Sequence, residues 1–431
     1  MCAQLTDPLT LPCGQVIPNR IMKSAMTEAL ADPADHATEL HQTLYRRWSR
    51  GGAGLLITGN VMIDRRYLEK AGNVVVEDDS GLESLRAWAS AGMEAGNQLW
   101  MQINHPGRQC AKLNNRHPVS ASDVQLHLAG SFARPRPLES VEIEEIIQRF
   151  ATTATVAAKA GFSGVQLHAA HGYLISQFLS PKTNLREDQW GGSLENRARF
   201  LLAAVAAVRR AVGEEFAVSV KLNSADFQKG GFTLDESVQV VRWLNETSLD
   251  LLEISGGSYE APQLMGFSGD RRTTELPPRQ STRDREAYFL EYAAAIRQVA
   301  TMPVAITGGF RSRSVMTEAL AAGELDLIGM ARPFAANPEL ASELLAGTLE
   351  EVPAIEREKR IGPGFLGVNS PLGLVKMLTL QGQTGWFAEQ MALAAHNQPL
   401  DPDLGLLRSM MKMMRAEIKA ARARHFQPEK P

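Results

Sequence analysis

Residues 164–200 read GVQLHAAHGYLISQFLSPKTNLREDQWGGSLENRARF, and this stretch decides the fold. It opens as an apolar strand, Gly164-Val165-Gln166-Leu167-His168, passes through a loop rich in Gly, Asn and Asp, and starts a helix near Asn196. The same strand–loop–helix unit recurs along the chain. Apolar runs suited to buried parallel strands occupy 20–26, 54–62, 98–104, 164–168, 217–223, 249–255, 303–307 and 326–330. Helical spacing fills 41–50, 81–95, 143–160, 196–212, 234–246, 286–299, 312–322 and 338–346. Strand after strand followed by a helix is the rhythm of a (β/α)8 TIM barrel, an α/β fold. A doubly wound open sheet rarely sustains so many clean alternations, so the barrel is the expectation.

Outward from the barrel, 9–17 predicts an N-terminal β-hairpin turning at Cys13-Gly14 and plugging the barrel's bottom. The barrel domain is expected over 1–347. A helical C-terminal extension, 348–431, is expected to pack on it or on a partner subunit. Within 404–426, Leu404, Leu407, Met411, Met414 and Ile418 recur at helical spacing with Lys and Arg opposite. That pattern predicts a capping helix with its apolar stripe on the barrel. A homo-oligomer contact is the alternative, since methionines suit an adaptable interface.

Composition narrows the function. With 431 residues, 44% hydrophobic, 22% charged and a net charge of -3, the chain reads as globular. That charge argues against a nucleic-acid surface, and no basic stripe is interleaved with aromatics. No run approaches the ~18 apolar residues of a membrane span. The first residues lack the basic start and apolar core of a signal peptide. Cys2, Cys13 and Cys110 form no metal spacing and suit a reducing, cytoplasmic setting.

The chemistry gathers at strand ends, where such barrels carry their sites. His168, His171 and Tyr173 fall within six residues, bringing two imidazoles and a phenol to one strand's C-terminal end. They suit polarising a carbonyl and donating a proton beside it. No third His or Cys at ligand spacing joins them, so zinc is the poorer reading. Alternation places Ala217, Ser219, Lys221 and Asn223 on one face of the 217–223 strand, and Trp100, Gln102 and Asn104 on one face of 98–104. Buried Lys221 needs an anion or polar acceptor. The inward neighbours on its own strand are not acidic, which points away from a structural ion pair. The Gly308-Gly309 turn and the strand ending Ala331-Arg332 suit a phosphate at the last two strands. No GxGxxG or GxxxxGK[ST] loop is present.

HAAHGYLISQFLSPKTNLREDQWGGSLENRARF resembles the signature of the Old Yellow Enzyme family of FMN-dependent ene-reductases. IPNRIMKSAMTE, GLLITGN, QLWMQINHPGRQ, ITGGF and LIGMARPF follow in family order, from about Leu9 to Leu345. The resemblance implies non-covalent FMN and NADH or NADPH as hydride donor. It assigns Ser24, Ala25, Met26 and Thr27 to the flavin ring, with Thr27 on its C4 carbonyl. Asn60 and Gln102 fall on the ring's pyrimidine edge, Lys221 beside N1, and Gly309, Ala331 and Arg332 on the phosphate. His168 and His171 would bind the substrate carbonyl and Tyr173 would donate the proton. Ala25 stands where many members have Pro, Trp190 where Tyr is common, and Thr27 where one branch has Cys. Residues 357–373 lack the cysteines that larger relatives use for an iron–sulfur centre.

The implied enzyme is an NAD(P)H oxidoreductase reducing the activated C=C bond of α,β-unsaturated carbonyl compounds, small enone-type molecules. The alternatives are a related flavin oxidase or amine dehydrogenase, supported by a cysteine placed for a covalent flavin, and a cofactor-free lyase using Lys221.

Overall fold

The computed structural model describes residues 2–128, 130–256, 290–362, 370 and 372–425. Two short antiparallel strands, β1 (Leu9–Thr10) and β2 (Val16–Ile17), form the expected hairpin. Then come β3 (Ile21–Lys23), β4 (Leu55–Met62) and β5 (Gln98–Asn104). β6 (Val119–Ser120) and β7 (Arg136–Pro137) make a small separate pair. β8 (Gly164–Ala169), β9 (Ala217–Asn223), β10 (Leu251–Ser255), β11 (Val304–Thr307) and β12 (Leu327–Met330) follow. β3, β4, β5 and β8 to β12 pair in chain order, all parallel, and β12 closes on β3. The expected TIM barrel is therefore present, with every strand inside or within one residue of its expected span.

Alternation fixes which residues fill the barrel. Met22, Leu55, Ile57, Trp100, Ala217, Leu251, Ala305 and Leu327 form one apolar cluster with Leu9, Leu11 and Ile17 of the hairpin. The hairpin thus plugs the end opposite the strands' C-termini. Gly164 is required there: a Cβ on it would lie 2.6 Å from the Trp100 ring. The larger cluster lies between strands and helices, and includes the fully buried Trp48, Trp88, Phe150, Phe178 and Phe200. Burying each such side chain contributes about 1.5–3 kcal/mol.

One buried polar group in that layer was not foreseen. Lys23, 0% exposed, donates to the Ile57 carbonyl at 2.7 Å and lies 4.3 Å from the Trp48 ring centroid. Burial pulls its pKa down to about 8. Nearby Glu28 accepts from Tyr45 and, at 2.9 Å, from the Gly59 N–H. A Cβ on Gly59 would sit 2.1 Å from Glu28 Oε2, so this close approach needs glycine.

The structure corrects several expectations. Leu174–Leu179 is a short helix where a loop was expected. The helix expected over 196–212 begins at Leu194, because the Ser193 side chain caps it. A helix at Arg332–Ala336 directly follows β12, ahead of Leu340–Ala346. The helix expected over 286–299 appears as Leu290–Arg297, and 286–289 lie outside the described residues. The tail holds a long helix, Gly373–Ala395, which the sequence pattern did not predict.

The last helix, Leu406–Ala423, faces opposite to the expected way. Leu407, Met411, Met414 and Ile418 are 46%, 48%, 51% and 38% exposed, so the stripe within the helix points outward and not onto the barrel, and of the expected set only Leu404, ahead of the helix, is buried. Leu406 and Ser409 face inward, where Gly382 and Gly385 allow close approach to the Gly373–Ala395 helix. Beyond it, Arg424 grips both carboxylate oxygens of Asp35 at 2.8 and 2.7 Å and donates to the Arg65 carbonyl at 2.9 Å. Asp35 follows β3 and Arg65 follows β4. The chain's far end therefore ties two loops of the rim at the strands' C-terminal side.

Candidate active site

At that rim, His168 is the next-to-last residue of β8 and points inward with Gly164 and Gln166 below it. The chain then reverses sharply: His171 and Gly172 take φ of +60° and +77°. A non-glycine residue in this left-handed region is strained and is found preferentially at functional turns. The turn aims His171 back at His168, with the rings edge to face at 5.1 Å. His168 Nε2 lies 3.1 Å from His171 Nδ1, His168 Nδ1 lies 2.9 Å from Asn60 Oδ1, and His171 Nε2 lies 2.8 Å from Ser255 Oγ. The His171 N–H donates to Asn223 Oδ1 at 3.1 Å.

Tyr173, at the N-cap of Leu174–Leu179, stands 4.7 Å from the His168 ring. Asn60 Nδ2 donates to its hydroxyl oxygen at 3.3 Å, a bond that does not consume the phenolic proton. Burial is the main cause that holds both imidazoles well below the usual histidine range, with the Lys221 charge adding to it. Both are therefore neutral. The structure brings His168, His171, Tyr173 and Asn60 into one buried cluster.

Beneath it runs a belt of polar side chains across the barrel. Gln102 Nε2 donates to Gln166 Oε1 at 2.7 Å, and Gln166 Nε2 donates to Glu253 Oε2 at 2.8 Å. Thr307 Oγ1 donates to Glu253 Oε1 at 2.5 Å and pairs with Ser24 Oγ at 2.7 Å. Gly329 makes room: a Cβ there would lie 2.0 Å from Thr307 Oγ1 and 2.8 Å from Ser24 Oγ.

Lys221 joins this belt through an ion pair, Nζ to Glu253 Oε1 at 2.7 Å, with side chains 4% and 0% exposed. This overturns the expectation that no structural acid serves it. Glu253 lies on the next strand and is in register with Lys221. Its nitrogen is committed to this buried pair, so the geometry gives no support to the alternative of Lys221 as a Schiff-base nucleophile. Cys110 is buried and its thiol is pushed up to about 12, mainly by burial. It is not the reactive thiol that a covalent flavin would need.

Thr27 donates to Glu69 Oε2 at 2.8 Å, and Asn60 Nδ2 donates to the same oxygen at 3.1 Å. These donors are aimed at protein acceptors, so bonds from Thr27 and Asn60 to a flavin rest on the resemblance alone. Ala25 packs at the edge of the barrel-interior cluster, and Met26 against the outer core. Glu69, Glu253 and Ser255 are site neighbours that the sequence did not single out. Each meets the cluster only through a loop or a neighbouring strand.

FMN needs polar groups for its ring edge and a cationic cradle for its phosphate, and both are present. Both amide atoms of Asn104, one alternation step beyond Gln102 on β5, are buried without a hydrogen-bond partner. Gly308 and Gly309 after β11 take φ of +115° and +88°, opening the backbone to close approach. Arg332 follows β12, the strand that pairs with β11; burial lowers its pKa, Glu356 raises it and Arg311 lowers it further. Arg311 itself pairs with Glu356 at 2.5 Å. Guanidinium forks suit a phosphate, which would compete with Glu356 for them.

Residues 4–351 match the family model described as NADH:flavin oxidoreductase / NADH oxidase. The NADH-dependent flavin oxidoreductase iliE of Hypocrea jecorina (strain QM6a) is 37% identical over 362 residues, covering 78% of this chain and 88% of that protein. The old yellow enzyme homologue from Zymomonas mobilis superposes with a TM-score of 0.68 at 25% identity, covering 80% of this chain and 94% of that one. Morphinone reductase in complex with tetrahydroNAD gives 0.65 at 25% identity, covering 80% and 92%. Among the described residues no helix is long and apolar enough to cross a membrane.

Proposed function

The chain belongs to the NADH:flavin oxidoreductase / NADH oxidase family, and from that premise we propose that this FMN-dependent NAD(P)H oxidoreductase reduces the activated C=C bond of α,β-unsaturated carbonyl compounds, with Tyr173 as proton donor. Bound non-covalently, FMN supplies the hydride chemistry, taking hydride from NADH or NADPH and passing it to the acceptor. On this reading Ser24, Ala25, Met26, Thr27, Asn60, Gln102 and Lys221 hold its ring, and Gly309, Ala331 and Arg332 its phosphate.

One observation carries the reading: two neutral imidazoles and a phenol meet around Asn60 in a buried cluster at the strands' C-terminal ends. As a conjugated alkene is reduced, negative charge grows on its carbonyl oxygen. Donors fixed in place beforehand stabilise that charge, and losing one costs on the order of 10²–10³ in rate. A carbonyl oxygen entering beside the histidines takes up the N–H that one ring now gives the other. A phenol keeps its proton at neutral pH and can give it to the α-carbon. A neutral imidazole N–H holds the oxygen without protonating it, which leaves the proton transfer to Tyr173.

The test is Tyr173→Phe, followed as two half-reactions by stopped flow. Oxidation of NADH or NADPH by the flavoprotein is expected to hold near wild type, while alkene reduction slows sharply. Equal losses in both half-reactions, or in neither, would contradict the role given to Tyr173.

A further inference from the structure

Glu69 is 9% exposed in the loop after β4, and its Oε2 takes two bonds, from Thr27 Oγ1 at 2.8 Å and Asn60 Nδ2 at 3.1 Å. A carboxylate only accepts, so it obliges Asn60 to turn its amino group toward it. The Asn60 carbonyl oxygen is then what faces His168 Nδ1 at 2.9 Å. An amide oxygen also only accepts, so His168 carries its proton on Nδ1. Its neutral ring leaves a lone pair on Nε2, which takes the Nδ1–H of His171 across 3.1 Å. His171, likewise neutral, is left with a lone pair on Nε2, and Ser255 Oγ at 2.8 Å supplies the hydroxyl proton to it. Every hydrogen position in the chain follows from its acidic end.

We propose that Glu69 is a positioning residue that, acting through Asn60, fixes the tautomers of His168 and His171 and makes the His171 Nδ1–H the ring N–H offered to a substrate carbonyl. The last clause rests on the ene-reductase reading; the tautomer assignment does not. The two rings would therefore act unequally. His171 supplies the bond to the oxygen, and His168 is the acceptor that holds this N–H in place until substrate takes it.

Neutron diffraction from deuterium-exchanged crystals of the FMN-bound protein reads the deuterons on the rings directly. Wild type is expected to carry deuterium on Nδ1 of both histidines. Glu69→Gln offers Asn60 both a donor and an acceptor, so His168 is expected to carry deuterium on Nε2 in a share of molecules. Alkene reduction should fall on the order of 10–100-fold, the range seen when the outer hydrogen-bond partner of a metal-bound imidazole is removed. Glu69→Asp keeps an acceptor-only group and should keep the wild-type deuteration. Deuterium on Nε2 of His168 in the wild type, or deuteration unchanged in Glu69→Gln, would overturn the proposal. If deuteration follows expectation but no enone is turned over, Glu69 keeps its role and the ene-reductase reading falls.

Discussion

Replacing Lys221 with methionine strands a carboxylate. Glu253 is 0% exposed, and without the ammonium it keeps only two neutral donors, Thr307 at 2.5 Å and Gln166 at 2.8 Å. Breaking a buried pair by removing one partner costs about 3–5 kcal/mol, and the two surviving donors place this case near 3 kcal/mol. Glu253→Gln strands the lysine and should cost a similar amount. The double variant Lys221→Met with Glu253→Gln removes both charges, while the new amide oxygen still accepts from Thr307. Its stability should return to within about 1 kcal/mol of wild type. At about 2.1 cal/mol/K per residue, an unfolding entropy for 431 residues makes each single loss a Tm shift of roughly 3 °C. Urea unfolding and thermal melts of the flavin-free proteins measure all four corners of the cycle. If losses of the single variants simply add in the double, the pair is not coupled and the account of Lys221 is wrong. Retention of FMN gives a second readout: it should not recover in the double variant if Lys221 also touches the ring.

Three further expectations follow from the geometry. Burial holds His41 down to about 3 from 6.5, so the unfolded chain binds a proton below about pH 6.5 that the folded chain refuses. Stability is then lost as pH falls through that window, by about 1.4 kcal/mol per pH unit. His41→Gln, which can still accept from Thr38 N–H in the capping box, should make the fall of stability between pH 6.5 and 4.5 shallower by about one histidine's share, the other buried histidines keeping theirs, and an unchanged slope refutes this. Gly329→Ala pushes a methyl to 2.0 Å from Thr307 Oγ1; overpacking of about 1–3 kcal/mol and reduced FMN retention are expected, and wild-type values for both would show that the belt yields freely. Thiol titration at pH 8 should label exposed Cys2 quickly, while Cys110, buried with its thiol near 12, reacts only after denaturation; rapid native labelling of Cys110 contradicts its burial.

The barrel was legible because its strands are runs such as LLITGNVM, buried along their full length, and because strand and helix alternate without a break. The cluster of His168, His171 and Tyr173 was legible for a related reason. It sits within a few residues of one strand end, so spacing alone brings the groups together. Glu253 was not legible. Its partner Lys221 lies 32 residues away in sequence, and the register of two parallel strands is set by the closed barrel, not by either strand. Glu69 escaped for the same reason, since only the path of a loop carries it to Asn60. In the tail, Gly373–Ala395 buries Gln383 and Gln390 along with Trp386 and Phe387, so it shows no clean apolar face. The stripe of the final helix was visible, but its direction was not. Periodicity gives a face, and only the neighbours decide which side is covered.

Asp35 and Arg424 are separated by 389 positions along the chain. A ribosome adding about 5–20 residues per second needs on the order of 20–80 s to travel between them. During that interval the acid has emerged and its cation has not, so the rim around the first two loops stays untied. The barrel itself cannot close before β12 is made, so a closed but untied barrel lasts only for the synthesis of the last stretch from Met330 to Arg424, roughly 5–19 s at that rate. Until that arginine is made, Asp35 and the Arg65 carbonyl lack the cation that joins them, and the latch is the last part of the rim to form.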